Sequence, residues 1–176
     1  LVRGMMNFYD PDGTKSDNKL VIGHDNARKS FVVLEPGTHT RWHEIQFRAK
    51  GPENLIRING GTHEVFHYFA IADQNQAGRT GTVYIAGGEL ITHSFSQIGK
   101  HKSQLAQVII ATNGTWTANQ SPEIGAGGIG EVNLVGGTPD IAAYVDCRVG
   151  HNNGGTGTIN VISGNLNANI YQTLVG

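Results

Sequence analysis

The constraint that dominates this sequence is a period of two. From Phe31 onward, apolar residues recur at every second position in short runs, and no stretch of ten residues carries a capped amphipathic helical stripe. Ile45 and Phe47 share one face, opposed by Glu44, Gln46 and Arg48. Ile56 pairs with Ile58, Val83 with Ile85, and Ile91, His93 and Phe95 alternate with Leu90, Thr92 and Ser94. Ala106, Val108 and Ile110 oppose Leu105, Gln107 and Ile109, and Ile141 to Val149 alternates in the same way. Leu166, Ala168 and Ile170 oppose the amides of Asn165, Asn167 and Asn169. Such runs are half-buried β-strands, because successive side chains of a strand point to opposite faces.

What separates the runs is equally consistent. Asn59-Gly60-Gly61, Ala77-Gly78, Gly87-Gly88, Asn113-Gly114, Gly136-Gly137, Asn152-Asn153-Gly154-Gly155 and Ser163-Gly164-Asn165 are turn sequences. With 25 Gly in 176 residues and only 15% charged residues, a helical or coiled-coil chain is excluded. Short strands every ten to twenty residues predict an all-β sandwich or barrel. No exact internal repeat is visible. The segment 1–30 reads as a connector arm, with a turn at Asp10-Pro11-Asp12-Gly13 and a polar stretch after it. Residues 31–176 read as one domain, long enough to bury roughly 70% of its unfolded surface.

Charge and special residues narrow the function. A formal net charge of −1 argues against a nucleic-acid partner, and no apolar run reaches the roughly 18 residues of a membrane span. Cys147 stands alone in an alternating apolar run, which suits a small buried hydrophobe. The chain begins at Leu1, as a fragment or processed product would.

Three motifs invite chemistry. His63-Glu64-Val65-Phe66-His67 satisfies H-E-x-x-H, but zinc chemistry needs it on a helix, where the two imidazoles share a face. On a strand they lie about 13 Å apart. Gly125-Ala126-Gly127-Gly128-Ile129-Gly130 satisfies G-x-G-x-x-G without the buried strand before it or the helix after it, so a flexible loop is expected. Pro36-Gly37-Thr38-His39 with His43 and Glu44 resembles part of a cupin metal site, which uses His and Glu ligands. A metal-dependent enzyme using His63 and His67, or His39 and His43, is therefore the alternative to a chain with no metal and no cofactor.

The two tryptophans point elsewhere. Trp42 is in phase with Glu44, Gln46 and Arg48, and Trp116 sits among polar residues. An exposed aromatic flanked by amides and carboxylates suits stacking on a sugar's C–H face. Trp42, Glu44, Gln46, Arg48 and Trp116 are thus the expected carbohydrate site, the alternative being that each Trp packs beneath a loop or in a subunit interface.

Two further features carry a resemblance. One is the connector Asn7-Phe8-Tyr9-Asp10-Pro11-Asp12-Gly13, followed by Asn18-Lys19-Leu20-Val21-Ile22-Gly23. The other is the Gly/Asn/Thr-rich strand texture of Gly81-Thr82-Val83-Tyr84-Ile85-Ala86-Gly87-Gly88 and Gly155-Thr156-Gly157-Thr158-Ile159-Asn160-Val161. Together they resemble the C-terminal part of a tailed-bacteriophage tail fibre or tailspike. That resemblance implies a jelly-roll-like β-sandwich tip and a homotrimer on the virion tail, outside the cell. It further implies a non-enzymatic role in binding bacterial surface polysaccharide or stabilising the trimer, any glycan-cleaving activity lying elsewhere in a longer protein. A stand-alone carbohydrate-binding module is the remaining alternative.

Overall fold

The computed structural model describes residues 4–8, 19–23, 29–48, 53–72, 80–101, 105–136, 138–141, 147–150, 154–168 and 173–175. These residues hold no helix, and so none that could cross a membrane. The strands are β1 (Gly4–Phe8), β2 (Lys19–Ile22), β3 (Ser30–Leu34), β4 (Thr38–Phe47), β5 (Asn54–Ile58), β6 (Thr62–Ile71), β7 (Thr80–Thr92) and β8 (Phe95–Ile98). They continue as β9 (Leu105–Ala118), β10 (Pro122–Ile124), β11 (Ile129–Val135), β12 (Thr138–Ile141), β13 (Cys147–Val149), β14 (Thr156–Ser163), β15 (Asn167–Ala168) and β16 (Thr173–Val175).

Every pairing between these strands is parallel, which corrects the expected jelly-roll sandwich. The chain is a β-solenoid. Strands after β1 pair with the one that follows about 25 residues later: Asn54 with Gly81, Gly81 with Ala106, Ala106 with Gly130, Gly130 with Gly157. The alternation of apolar and polar residues is the same in a sandwich and a solenoid. It states which side chains go inside, not whether a strand pairs across a turn or one full coil later. Parallel pairing needs a long crossover, and here the rest of the coil supplies it.

Each coil has three walls. The first is built by β3, β5, the first halves of β7 and β9, then β11 and β14. The second comprises β1, the first halves of β4 and β6, the second halves of β7 and β9, and then β12 and β15. The third comprises β2, the second halves of β4 and β6, then β8, β10, β13 and β16. The segment expected to be a connector arm contributes β1 and β2, both stacked on β4. The Asp10–Gly13 turn lies outside the described residues, as do Asp146 and the amides of Asn169 to Gln172.

A repeat therefore exists, and it is positional. At the end of six of the third-wall strands, a buried apolar residue is followed by a corner: Ile22-Gly23, Phe47-Arg48, Ile71-Ala72, Ile98-Gly99, Ile124-Gly125, Val149-Gly150. Gly23, Ala72, Gly99, Gly125 and Gly150 all have φ between 63° and 77°. The corner N–H donates to the carbonyl one coil earlier: Arg48 to Ile22 (2.9 Å), Gly99 to Ile71 (3.1 Å), Gly125 to Ile98 (2.7 Å), Gly150 to Ile124 (2.8 Å). Inside, the same coils stack Ile71 on Ile98 on Ile124 on Val149, and Ile56 on Val83 on Val108 on Val132. A fully buried aliphatic side chain contributes about 1.5–3 kcal/mol, so each coil stabilises the next.

The G-x-G-x-x-G segment is one such corner between β10 and β11. It is not a loose loop: Gly127 and Gly128 N–H both donate to Gly99 O (3.1 and 2.8 Å), and Gly128 O accepts from Thr156 N–H (2.8 Å). Cys147 is buried as expected, and burial raises its thiol pKa to about 11, far from a reactive thiolate.

Gly99 tests the corner rule. A Cβ there would stand 2.6 Å from the backbone C and O of Ile129, at a φ of 77° that an L side chain resists. Gly99→Ala should therefore cost more than about 2 kcal/mol. In urea unfolding this appears as a lowered midpoint at unchanged slope; a wild-type midpoint would refute the corner assignment.

Candidate functional site

The second and third walls meet at a corner that rearranges the expected carbohydrate residues. Trp42 pairs with Val65 and Glu44 with Tyr68, so the register shifts and His43 of β4 faces two residues of β6, Phe66 and His67. This β-bulge reverses the in–out phase. Before it, Thr38, Thr40 and Trp42 point inward; after it, Ile45 and Phe47 do. Trp42 therefore lies in the core, 8% exposed, on the same side as Ile45 and Phe47 and not opposite them. Trp116 is fully buried as well. Neither indole presents a face to solvent; for Trp42 the reason is that the alternation does not continue across the bulge.

Of the remaining expected residues, Gln46 and Arg48 are half-buried, and Glu44 is itself buried at 8% exposure beneath its polar neighbours. Glu44 takes Lys19 Nζ (3.1 Å) and Gln46 Nε2 (2.7 Å) on Oε2, and His67 Nδ1 stands 3.4 Å from Oε1. Arg48 occupies the corner after β4, its side chain half-buried. The cluster is a consequence of the bulge, which places His43 and Glu44 on the outer side in succession.

H-E-x-x-H lies on β6, and its two histidines part company. His67 is outside, with a side chain 64% exposed. His63 is inside and fully buried. The pair cannot grip one metal from opposite sides of a wall. Instead His63 completes a closed polar chain. Trp42 Nε1–H donates to Thr40 Oγ1 (2.8 Å), the Thr40 hydroxyl donates to His63 Nδ1 (2.9 Å), and His63 Nε2–H donates to Gly60 O (2.9 Å). A carbonyl can only accept, so the ring is the neutral Nε2–H tautomer. Trp116 uses the same device, its Nε1–H donating to Thr92 Oγ1 at 3.2 Å. His39, the other member of the cupin-like pair, is exposed on the second wall, whereas His43 stands at the bulge.

On the outside, polar side chains form ladders from coil to coil. Along the third wall, Lys100 Nζ donates to Tyr68 Oη (2.8 Å), Tyr68 Oη to Gln97 Oε1 (2.7 Å), and Gln97 Nε2 to Glu123 Oε2 (2.7 Å). Arg148 Nη1 closes on Glu123 Oε1 at 3.2 Å. Phe95, paired in register with Tyr68, is 56% exposed beside them. On the second wall, Arg41 Nε meets Glu64 at 3.0 Å, and Glu64 takes His93 Nε2–H at 3.1 Å. Asn119 Nδ2–H then donates to His93 Nδ1 (3.1 Å), while Phe66 stacks on the His93 ring at 4.5 Å. The members of each ladder are 23 to 32 residues apart, so no local motif announces them.

Comparison with protein-family models, with curated proteins and with solved structures finds no match to this chain.

The buried histidine sets a pH dependence. Desolvation lowers the His63 pKa below 6.5, helped by His39 and opposed by the Gly60 hydrogen bond. Above pH 6.5 the ring is neutral folded or unfolded, and its contribution is complete. As pH falls through 6.5 the unfolded chain takes up the proton first, so stability is lost toward the lowered folded value. The His63 ring should titrate below pH 6.5 by NMR, with the melting temperature falling over the same window. A ring protonated at neutral pH would refute the buried network.

Proposed function

We propose that this chain is a non-enzymatic, glycan-binding module of a tailed-phage tail fibre or tailspike, carried on the virion tail and binding bacterial surface polysaccharide. The observation that carries the reading is the third outer wall. There an exposed aromatic, Phe95, adjoins Tyr68 and a ladder of amide, carboxylate, guanidinium and ammonium groups. An all-β parallel solenoid is also compatible with tailspike-like folds.

The physical fit is direct. Coils repeat about every 4.8 Å along the axis, so an extended sugar chain lying along the wall meets a new row of donors and acceptors at each coil. Sugar C–H faces need an aromatic platform, and Phe95 with Tyr68 takes the place assigned from sequence to Trp42 and Trp116. Each hydrogen bond to a solvated hydroxyl nets only about 1 kcal/mol, so the wall works by summing many weak contacts.

Phe95→Ala should abolish most binding to purified polysaccharide or bacterial cells while the melting temperature stays within error of the parent. Trp42→Ala should instead cost about 3–5 kcal/mol of stability, as a core aromatic does. Undiminished binding by the Phe95 variant would remove the third wall as the site.

A trimer-stabilising role has its own support. The outer side of the first wall exposes Phe31 (53%) and Val33 (50%) on β3, and Ile129 and Val135 on β11. Apolar groups spread along one wall suit lateral packing between copies, and a closed homotrimer covers all three such walls at once. Light scattering should give about three times the 18.8 kDa chain mass, and Phe31→Ser with Val33→Ser should shift it to monomer. A parent that is monomeric at every concentration would end the trimer reading.

A further inference from the structure

We propose that His43, Glu44 and His67 form a zinc site on the outer corner between the second and third walls, clamping two successive coils together. The sequence offers two histidine pairs, His63 with His67 and His39 with His43, and the fold breaks both. It then joins one member of each: His43 from β4 and His67 from β6, with Glu44 between them. One ligand atom from each of the three residues lies within 4.8 Å of the other two.

The bulge is what makes this possible. In a regular strand His43 and Glu44 would point to opposite sides; the shift between Trp42 and Glu44 puts both outside, and the extra residue in β6 brings His67 opposite His43. The two rings stack at 4.9 Å between centroids, with planes 4° apart. Parallel rings hold their nitrogen lone pairs in separate planes, so binding requires one ring to turn. His67, 64% exposed, has the room to do so. Donor atoms of a tetrahedral zinc stand roughly 3.3 Å apart, so the cluster closes by roughly 1.5 Å on side-chain rotation alone.

The carboxylate is already oriented. Lys19 Nζ and Gln46 Nε2 both engage Oε2 of Glu44, which leaves Oε1 turned toward His67. Outer hydrogen bonds of this kind fix a ligand's direction before the metal arrives. Two imidazoles and one carboxylate match the donor set that zinc takes with a fourth position open, and they disfavour calcium and magnesium, which take oxygen ligands. Because one histidine comes from each of two coils, the metal adds a cross-link where the coil-to-coil ladder is interrupted by the bulge. The proposal is independent of the glycan reading, which rests on Phe95, Gln97 and Glu123.

The test is zinc titration of the full chain after chelator treatment, by calorimetry, with cobalt(II) absorption as a second readout. The parent should bind one zinc per chain, its melting temperature should rise on binding, and cobalt should give the intense visible bands of a four-coordinate site. His67→Ala and His43→Ala should each weaken binding on the order of 100-fold or more, since even an outer-sphere partner is worth 10–100-fold. His39→Ala should bind as the parent does. His67 is exposed, so its variant keeps the fold, and circular dichroism verifies that. Binding that survives both His43→Ala and His67→Ala, or a parent that takes up no stoichiometric zinc, overturns the proposal.

Discussion

The structure depends on one hydrogen bond made again and again: a corner N–H at the end of a third-wall strand, donated to the carbonyl one coil earlier. Arg48 to Ile22, Gly99 to Ile71, Gly125 to Ile98 and Gly150 to Ile124 are the same bond in four coils. It sets the register at the point where the chain changes direction, so the wall that follows begins in phase with the wall beneath it. Three of the four donors, Gly99, Gly125 and Gly150, have a left-handed backbone, which glycine makes inexpensive, whereas Arg48 makes the bond without it. Ala72 has the same left-handed backbone although it is not glycine.

Locking register at the corners explains why the interior can be so plain. Once coils are aligned, Ile71, Ile98, Ile124 and Val149 fall into one column without any side chain having to select its partner. The same alignment fills the outer columns, and there it creates chemistry. Gln97, Glu123 and Arg148 are hydrogen-bonded neighbours although they stand at the same place in three successive coils. A solenoid is nearly one-dimensional, so its surface is read along the axis, coil by coil, rather than along the chain.

That distinction decides what could be read from the sequence. Within a wall, alternation places Ile56 and Ile58, Val83 and Ile85, or Ala106, Val108 and Ile110 inside, and the structure agrees. The turn glycines Gly60-Gly61, Gly87-Gly88 and Asn113-Gly114 mark real corners. Two things were not legible. The apolar–glycine corner recurs at intervals that wander between 24 and 27 residues, and Phe47-Arg48 and Ile71-Ala72 lack the glycine, so no exact repeat stands out. And alternation is silent on phase across a corner, which is why Trp42 belongs with Ile45 and Phe47 although counting by twos puts it with Glu44.

His63 and His67 show what such a corner does to chemistry. Four residues apart on a straight strand, they would share a face, an environment and a function. The extra residue between Val65 and Tyr68 sends one into the core and the other into solvent. Inside, burial favours the neutral ring, and Thr40 and Gly60 satisfy both of its nitrogens, so His63 is held in one tautomer and is spent on structure. Outside, His67 keeps its nitrogens accessible beside Glu44 and parallel to His43. A bulge needed to turn the coil thus divides one motif into a structural half and a reactive half. The reactive half acquires its partners from the neighbouring coil, where no reading of β6 alone would have looked for them.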